Sequence, residues 1–170
     1  MARIGYVDYL SASDEVKFAY NKLIKENGRV TNMKNTLLQD ITAFKAYQEW
    51  YPLYKEVEAI TGELGAQILS YSISTQNECS LCSLYFSKAL LDKGYNPSEL
   101  ILTPQQELLG LFGSSIAKDP KQISDELFAQ LKSNFSTREI VVLTAFAGQM
   151  IATNVFNSAL QIDIDENLLG

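Results

Sequence analysis

The chain has 170 residues, 46% hydrophobic and 20% charged, with eight Phe, nine Tyr and one Trp, enough apolar material for one domain to bury a core and too much for a disordered chain. Its net charge of −6, with Lys and Arg scattered rather than gathered in a stripe, argues against nucleic-acid or anionic-lipid partners. It contains no histidine, which excludes an imidazole base, an imidazole metal ligand and a Ser/His/Asp triad.

The opening segment MARIGYVDYLSASDE lacks the apolar core of a targeting leader, and no stretch approaches the roughly 18 apolar residues of a membrane span. A cytoplasmic protein with no membrane partner is expected. Residues 1–170 read as a single all-α domain of about seven helices, because helix punctuation is frequent and strand punctuation nearly absent.

The first helix is expected after Ser11, with Asp14 completing a capping pattern. Its apolar stripe of Val16, Phe18, Ala19, Leu23 and Ile24 stops before Gly28. The segment GRVTNMKN reads as a loop. From Leu37 to Ile60 the spacing is helical, with an aromatic face of Phe44, Tyr47, Trp50, Tyr51 and Tyr54, and Pro52 marks a kink or a new start. A further helix spans Gly62 to Ser74 and runs into TQNECSLC.

A helix from Glu78 to Leu91, stopped by Gly94, carries Cys79 and Cys82 in its first turns. Two more starts are expected at Thr103-Pro104-Gln105-Gln106 and Asp119-Pro120-Lys121-Gln122, each with a capping side chain, Pro at the first helical position and Gln at the third. The last helix begins at Ser136-Thr137-Arg138-Glu139 and is apolar on nearly all sides. That composition suits either the centre of the core or a subunit interface.

Cys79 and Cys82 are the two cysteines of the chain. Residues three apart share a helix face at a separation that a disulfide can bridge. A helix start adds unpaired amides and the positive dipole end, which favour thiolate, above all at Cys79, while Glu78 pushes the other way. Spacing alone serves a redox dithiol and a pair of small buried hydrophobes equally. A structural zinc site wants four protein ligands, and a thioredoxin-type site wants a preceding strand; the sequence offers neither.

With its helical frame, TQNECSLCSLYFSKALLDKGYNPSEL is similar to the alkylhydroperoxidase D-like signature of the carboxymuconolactone decarboxylase superfamily. GRVTN resembles an early loop of the peroxidase-related branch, and FSTREIVVLTAFAGQMIATNVFNSALQIDIDE resembles that family's final helix. The resemblance implies a single-domain alkylhydroperoxidase D-like helical fold, a homo-oligomer (dimer, trimer or hexamer), and no metal, haem or flavin cofactor. It implies a hydroperoxide or disulfide substrate, attack on peroxide by Cys82, resolution by Cys79 as a disulfide, and re-reduction by a lipoyl or thioredoxin-like partner.

The same resemblance places a proton-relaying Glu and His where this chain has Gln67 and Phe86. Neither exchanges a proton near neutral pH. Glu78, one turn before Cys82, and Glu63, one turn before Gln67, are substitute proton handlers or else solvated surface acids, and Tyr85 is a candidate hydrogen-bond donor or core packer. Three functional readings stand: a thiol-dependent hydroperoxidase or disulfide reductase of antioxidant defence, a non-catalytic oligomeric homologue that has lost the relay, and a carboxymuconolactone decarboxylase-type enzyme.

Overall fold

Helix α1 (Asp14–Asn27) is capped by Ser13, whose side chain accepts from the Val16 amide. Ser11, the expected cap, instead donates its hydroxyl to the Asp8 carboxylate at 2.8 Å and belongs to the preceding turn. The helix ends as expected at Gly28, which takes the left-handed conformation (φ +73°) and donates to the Ile24 carbonyl; a Cβ is disfavoured there. Val16 and Leu23 enter the core, but Phe18 is 73% exposed, lying about 200° around the helix from Val16. Ile24 is also exposed. The computed structural model describes residues 2–169.

The segment read as a loop contains a short helix, α2 (Asn32–Leu37), with Thr31 as its cap. Six residues are too few to hold a helix unaided. The far end of the chain holds this one: Asp165 Oδ1 accepts from the Asn32 amide at 2.8 Å, and Asn32 Nδ2 donates to the Asp163 carbonyl at 3.0 Å.

Helix α3 (Ile41–Gln48) is capped by Asp40, and α4 (Trp50–Gln76) starts afresh with Pro52 in its first turn, where a missing amide costs nothing. The break in α4 falls at Gly62 (φ +71°, ψ 164°), which resolves the two segments expected on either side of it.

Helices α5 (Ser80–Leu91), α6 (Pro104–Lys118), α7 (Asp125–Asn134) and α8 (Thr137–Leu160) follow. Both α6 and α8 carry complete capping boxes, Thr103 with Gln106 and Ser136 with Glu139. The start expected at Asp119 is not a helix start. Its carboxylate accepts from the Lys121 amide and the Gln122 side chain in a local turn, and Ser124 caps α7 instead. Aspartate followed by proline suits a turn as well as a cap.

The expected all-α, single-domain architecture is thus the one observed. Helix α4 is its axis, packed chiefly against α6 and α8 and burying Val57, Ala66, Leu69 and Ile73 against Leu109, Phe112, Leu143 and Phe146. Gly113 allows α6 to approach: a Cβ there would lie 3.0 Å from the Leu69 carbonyl oxygen. A second cluster joins α1, α2 and α3 through Val16, Leu23, Leu37, Leu38 and Phe44. A third gathers Cys79, Leu81 and Cys82 under Ile162 and Leu168 of the C-terminal segment.

Helix α8 is long and apolar enough, by length and composition, to cross a membrane, contrary to the sequence expectation. Here its inner face lies in the core, and it buries the polar residues Thr153, Asn154 and Asn157 together with Leu143, Phe146, Ala147 and Met150.

Candidate dithiol site

The turn between α4 and α5 positions the cysteines. Glu78 adopts a positive φ of 53°, an uncommon conformation for a residue with a Cβ. That reversal makes Cys79 the N-cap residue of α5, with backbone still extended (φ −81°, ψ 95°). Cys82 then falls in the first helical turn. The two sulfurs lie 2.7 Å apart, both side chains are buried, and both thiols are free.

The environments of the two thiols differ in sign. Cys79 is pushed down to about 7 by the hydrogen bond from the Cys82 thiol, assisted by the Cys82 and Leu81 amides and the Ser158 hydroxyl, against an opposing effect of burial. No amide makes a well-formed capping hydrogen bond to its sulfur, so the backbone acts through the field of the open first turn. Cys82 is pushed up, first by its hydrogen bond to Cys79, then by burial and by the Cys79 charge; the Asn157 side chain pulls the other way. The pair therefore gives up its first proton more readily from Cys79 than from Cys82.

Asn157 had no part in the sequence reading. Its Nδ2 donates to Cys82 Sγ at 3.2 Å, while its Oδ1 is buried without a protein partner. Gln67 is 4% exposed, and its Oε1 is likewise unpartnered. Polar residues on the inner face of α8, Thr153, Asn154 and Asn157, were the available signal, but only the fold says which of them meets Cys82.

Cys82, Gln67 and Asn157 lie along a cavity of about 490 Å³. Its walls are largely aromatic and aliphatic, supplied by Tyr47, Trp50, Tyr51 and Tyr54 from α3 and α4, Tyr85 and Phe86 from α5, and Phe146 and Met150 from α8. Tyr85 meets Phe86 edge-on with ring centroids 5.1 Å apart. Although Tyr85 is 49% exposed, its hydroxyl is pushed up, first by partial burial and then by Tyr51, and pulled down by Arg29. Cys79 opens instead onto a second, more open cleft with Glu78, Ser158 and Gln161.

The predicted site residues thus separate. Cys82, Gln67, Tyr85 and Phe86 share the cavity; Cys79 touches Cys82 from the other side, and Glu78 is exposed beside the second cleft. Glu63 is exposed and forms an ion pair with Lys93, and it lines neither cavity. Among the described residues no group of three or more His, Cys, Asp or Glu converges as a metal site would require.

Neither a protein-family model nor a curated protein matches the sequence. Solved structures do match in fold. An uncharacterized peroxidase-related protein from Silicibacter sp. TM1040 superposes with a TM-score of 0.80 over 99% of this chain and 94% of its own, at 17% identity. The alkylhydroperoxidase AhpD core of an uncharacterized peroxidase-related protein from Ralstonia eutropha JMP134 gives 0.73 over 98% and 94%, at 15% identity. The chain has the alkylhydroperoxidase D-like, peroxidase-related fold, and within that fold it carries a Cys-x-x-Cys pair.

Proposed function

We propose that this protein is a dithiol oxidoreductase that reduces organic hydroperoxides through Cys82 and Cys79. The observation that carries the reading is the double position of Cys82, whose sulfur contacts Cys79 at 2.7 Å and whose side chain lines the aromatic cavity.

The starting state is Cys79 thiolate hydrogen-bonded to the Cys82 thiol. Cys82 passes its proton to Cys79 and attacks the terminal peroxide oxygen, with Asn157 Nδ2 supporting the charge that arrives on its sulfur. An S–O bond forms, the O–O bond breaks, and the alkoxide takes the proton held by Cys79. The Cys79 thiolate then attacks the Cys82 sulfenic acid, forming the disulfide and releasing hydroxide. Two thiol sulfurs are oxidised and one peroxide reduced, with ROH and hydroxide as products. In this scheme Cys79 is the base for its own partner and stands in for the relay that Gln67 and Phe86 cannot supply.

An external dithiol of the lipoyl or thioredoxin-like class returns the pair to the reduced state, consistent with work in a reducing, cytoplasmic setting. Peroxide consumption with dihydrolipoamide as donor tests the proposal. Wild type is expected to turn over, and a wild-type rate no greater than that of Cys82→Ser overturns it.

A second reading, a non-catalytic homologue, is favoured by one observation: Phe86 packs against the main core and leaves the relay position without a proton-carrying group. Thiols that stay unreactive at neutral pH in the native protein would support it.

Self-association is part of either reading. The outward face of α8 presents Val141, Ala145, Gly148, Ala152 and Val155 to solvent, without a charge between Glu139 and the end of the helix. A homo-oligomer by light scattering is expected; a monomer at high concentration counts against it.

A further inference from the structure

Hydrogen peroxide is scarcely larger than a water molecule, which takes up about 30 Å³ in the liquid. The cavity at Cys82, about 490 Å³ in volume, is of the size that holds a sizeable organic ligand. Its polarity is graded. Cys82, Gln67 and Asn157 are buried, whereas Arg29 and Tyr51 are exposed and Lys34 is half-buried beside Tyr51.

Neither Arg29 nor Lys34 forms an ion pair with a carboxylate among the described residues. Lys34 Nζ lies 4.8 Å from the centroid of the Tyr51 ring, and Arg29 lines the same cavity as the exposed residues Tyr51 and Tyr85. The one carboxylate among the lining residues, Asp165, has Oδ1 engaged by the Asn32 amide at 2.8 Å. A chain of net charge −6 has thus placed along an apolar cavity two cations without a carboxylate partner among the described residues.

We infer that the cavity takes an amphipathic carboxylate, whose apolar body lies along the aromatic wall and whose anionic head is held by Arg29 and Lys34, so that the substrate class is a carboxylate-bearing organic hydroperoxide. The chemistry in this assignment rests on the proposed dithiol function; the binding preference does not. The buried, unpartnered Gln67 Oε1 and Asn157 Oδ1 are acceptors for the O–H of a hydroperoxide, which can donate one hydrogen bond beside Cys82.

Trp50 lines the cavity and is the single tryptophan of the chain, so its fluorescence reports binding without any redox step. Reduced protein is titrated with laurate and with dodecanol below their aggregation limits. Laurate is expected to bind about tenfold more tightly than the alcohol, with an advantage that shrinks as salt is added. The double variant Arg29→Ala/Lys34→Ala is expected to lose that advantage, and the charge-keeping Arg29→Lys/Lys34→Arg to retain it, with circular dichroism confirming that both fold. Equal affinity for the two ligands, binding of neither, or a preference that survives the alanine pair overturns the inference. If the alanine pair does not fold, Arg29→Gln alone decides in the same way. Carboxylate preference without peroxide turnover would remove the chemistry alone, and turnover without the preference would remove the substrate class alone.

Discussion

Asn157 Nδ2 donates to Cys82 Sγ at 3.2 Å, joining two residues 75 positions apart. The amide is the side-chain donor that offsets what the hydrogen bond to Cys79, burial and the Cys79 charge do to Cys82. Asn157→Ala is expected to slow the first step of peroxide reduction by about 10- to 100-fold, the cost of a hydrogen bond to a developing charge. Asn157→Asp, which sets a carboxylate there, should be slower still. Stopped-flow measurement of disulfide formation checks this, and an unchanged rate in Asn157→Ala would remove the amide from the mechanism.

The thiols are expected to titrate apart. Cys79 is held at about 7, so its alkylation by iodoacetamide, followed by peptide mass spectrometry, should reach half its plateau rate near that pH, while Cys82 remains slow throughout the neutral range. Equal titration of the two would contradict the assignment of charge to Cys79.

The same shift bears on stability. The folded Cys79 value lies below the reference value of 9.0, so the folded state binds fewer protons than the unfolded state between those limits. Stability rises with pH across that window, is fully present above the unfolded value, and is lost as pH falls through the folded one. The difference in Tm between reduced wild type and Cys79→Ser should therefore widen in favour of wild type from pH 6 to above pH 8; a constant difference would argue against the shift.

Stoichiometry tests the two-thiol scheme directly. One equivalent of hydroperoxide should abolish both titratable thiols of the chain, which has two cysteines, and yield an intramolecular disulfide. Cys79→Ser, which lacks both the base and the resolving thiol of the scheme, should form the Cys82 sulfenic acid much more slowly than wild type forms its disulfide, and the acid should persist long enough to be trapped by dimedone. A trapped sulfenic acid on Cys79 in the Cys82→Ser variant, formed at the wild-type rate, would reverse the roles.

Packing at the α4–α6 contact gives a prediction independent of chemistry. A Cβ at Gly113 would meet the Leu69 carbonyl oxygen at 3.0 Å, and backbone cannot step aside as a side chain can. Gly113→Ala should cost about 1–3 kcal/mol, read as a lowered Tm. At Gly110 the nearest neighbour is Ser72 Oγ at 3.4 Å, an ordinary contact, so Gly110→Ala should be much milder; equal effects would show that the approach of α6 is not what Gly113 serves.

Local signals in the sequence located most helices because their determinants lie three or four residues apart. The pairs Thr103 with Gln106 and Ser136 with Glu139 cap as their spacing predicts, and Gly28 closes α1. The same locality explains the failures. Asp119 before Pro120 satisfies turn amides as readily as helix amides, and the turn is what forms. Helix α2 was invisible because it is held by Asp163 and Asp165, more than a hundred residues away.

The sequence by itself determined an all-helical chain with a Cys-x-x-Cys pair at a helix start, since side-chain caps and residue spacing act within a turn. Tertiary structure alone decided that Cys82 faces an aromatic cavity while Cys79 faces another cleft, that Asn157 touches Cys82, and that Arg29 and Lys34 line the aromatic cavity. These relationships join segments distant along the chain, and they exist only once α4, α5 and α8 pack together and the C-terminal segment closes over the cysteines.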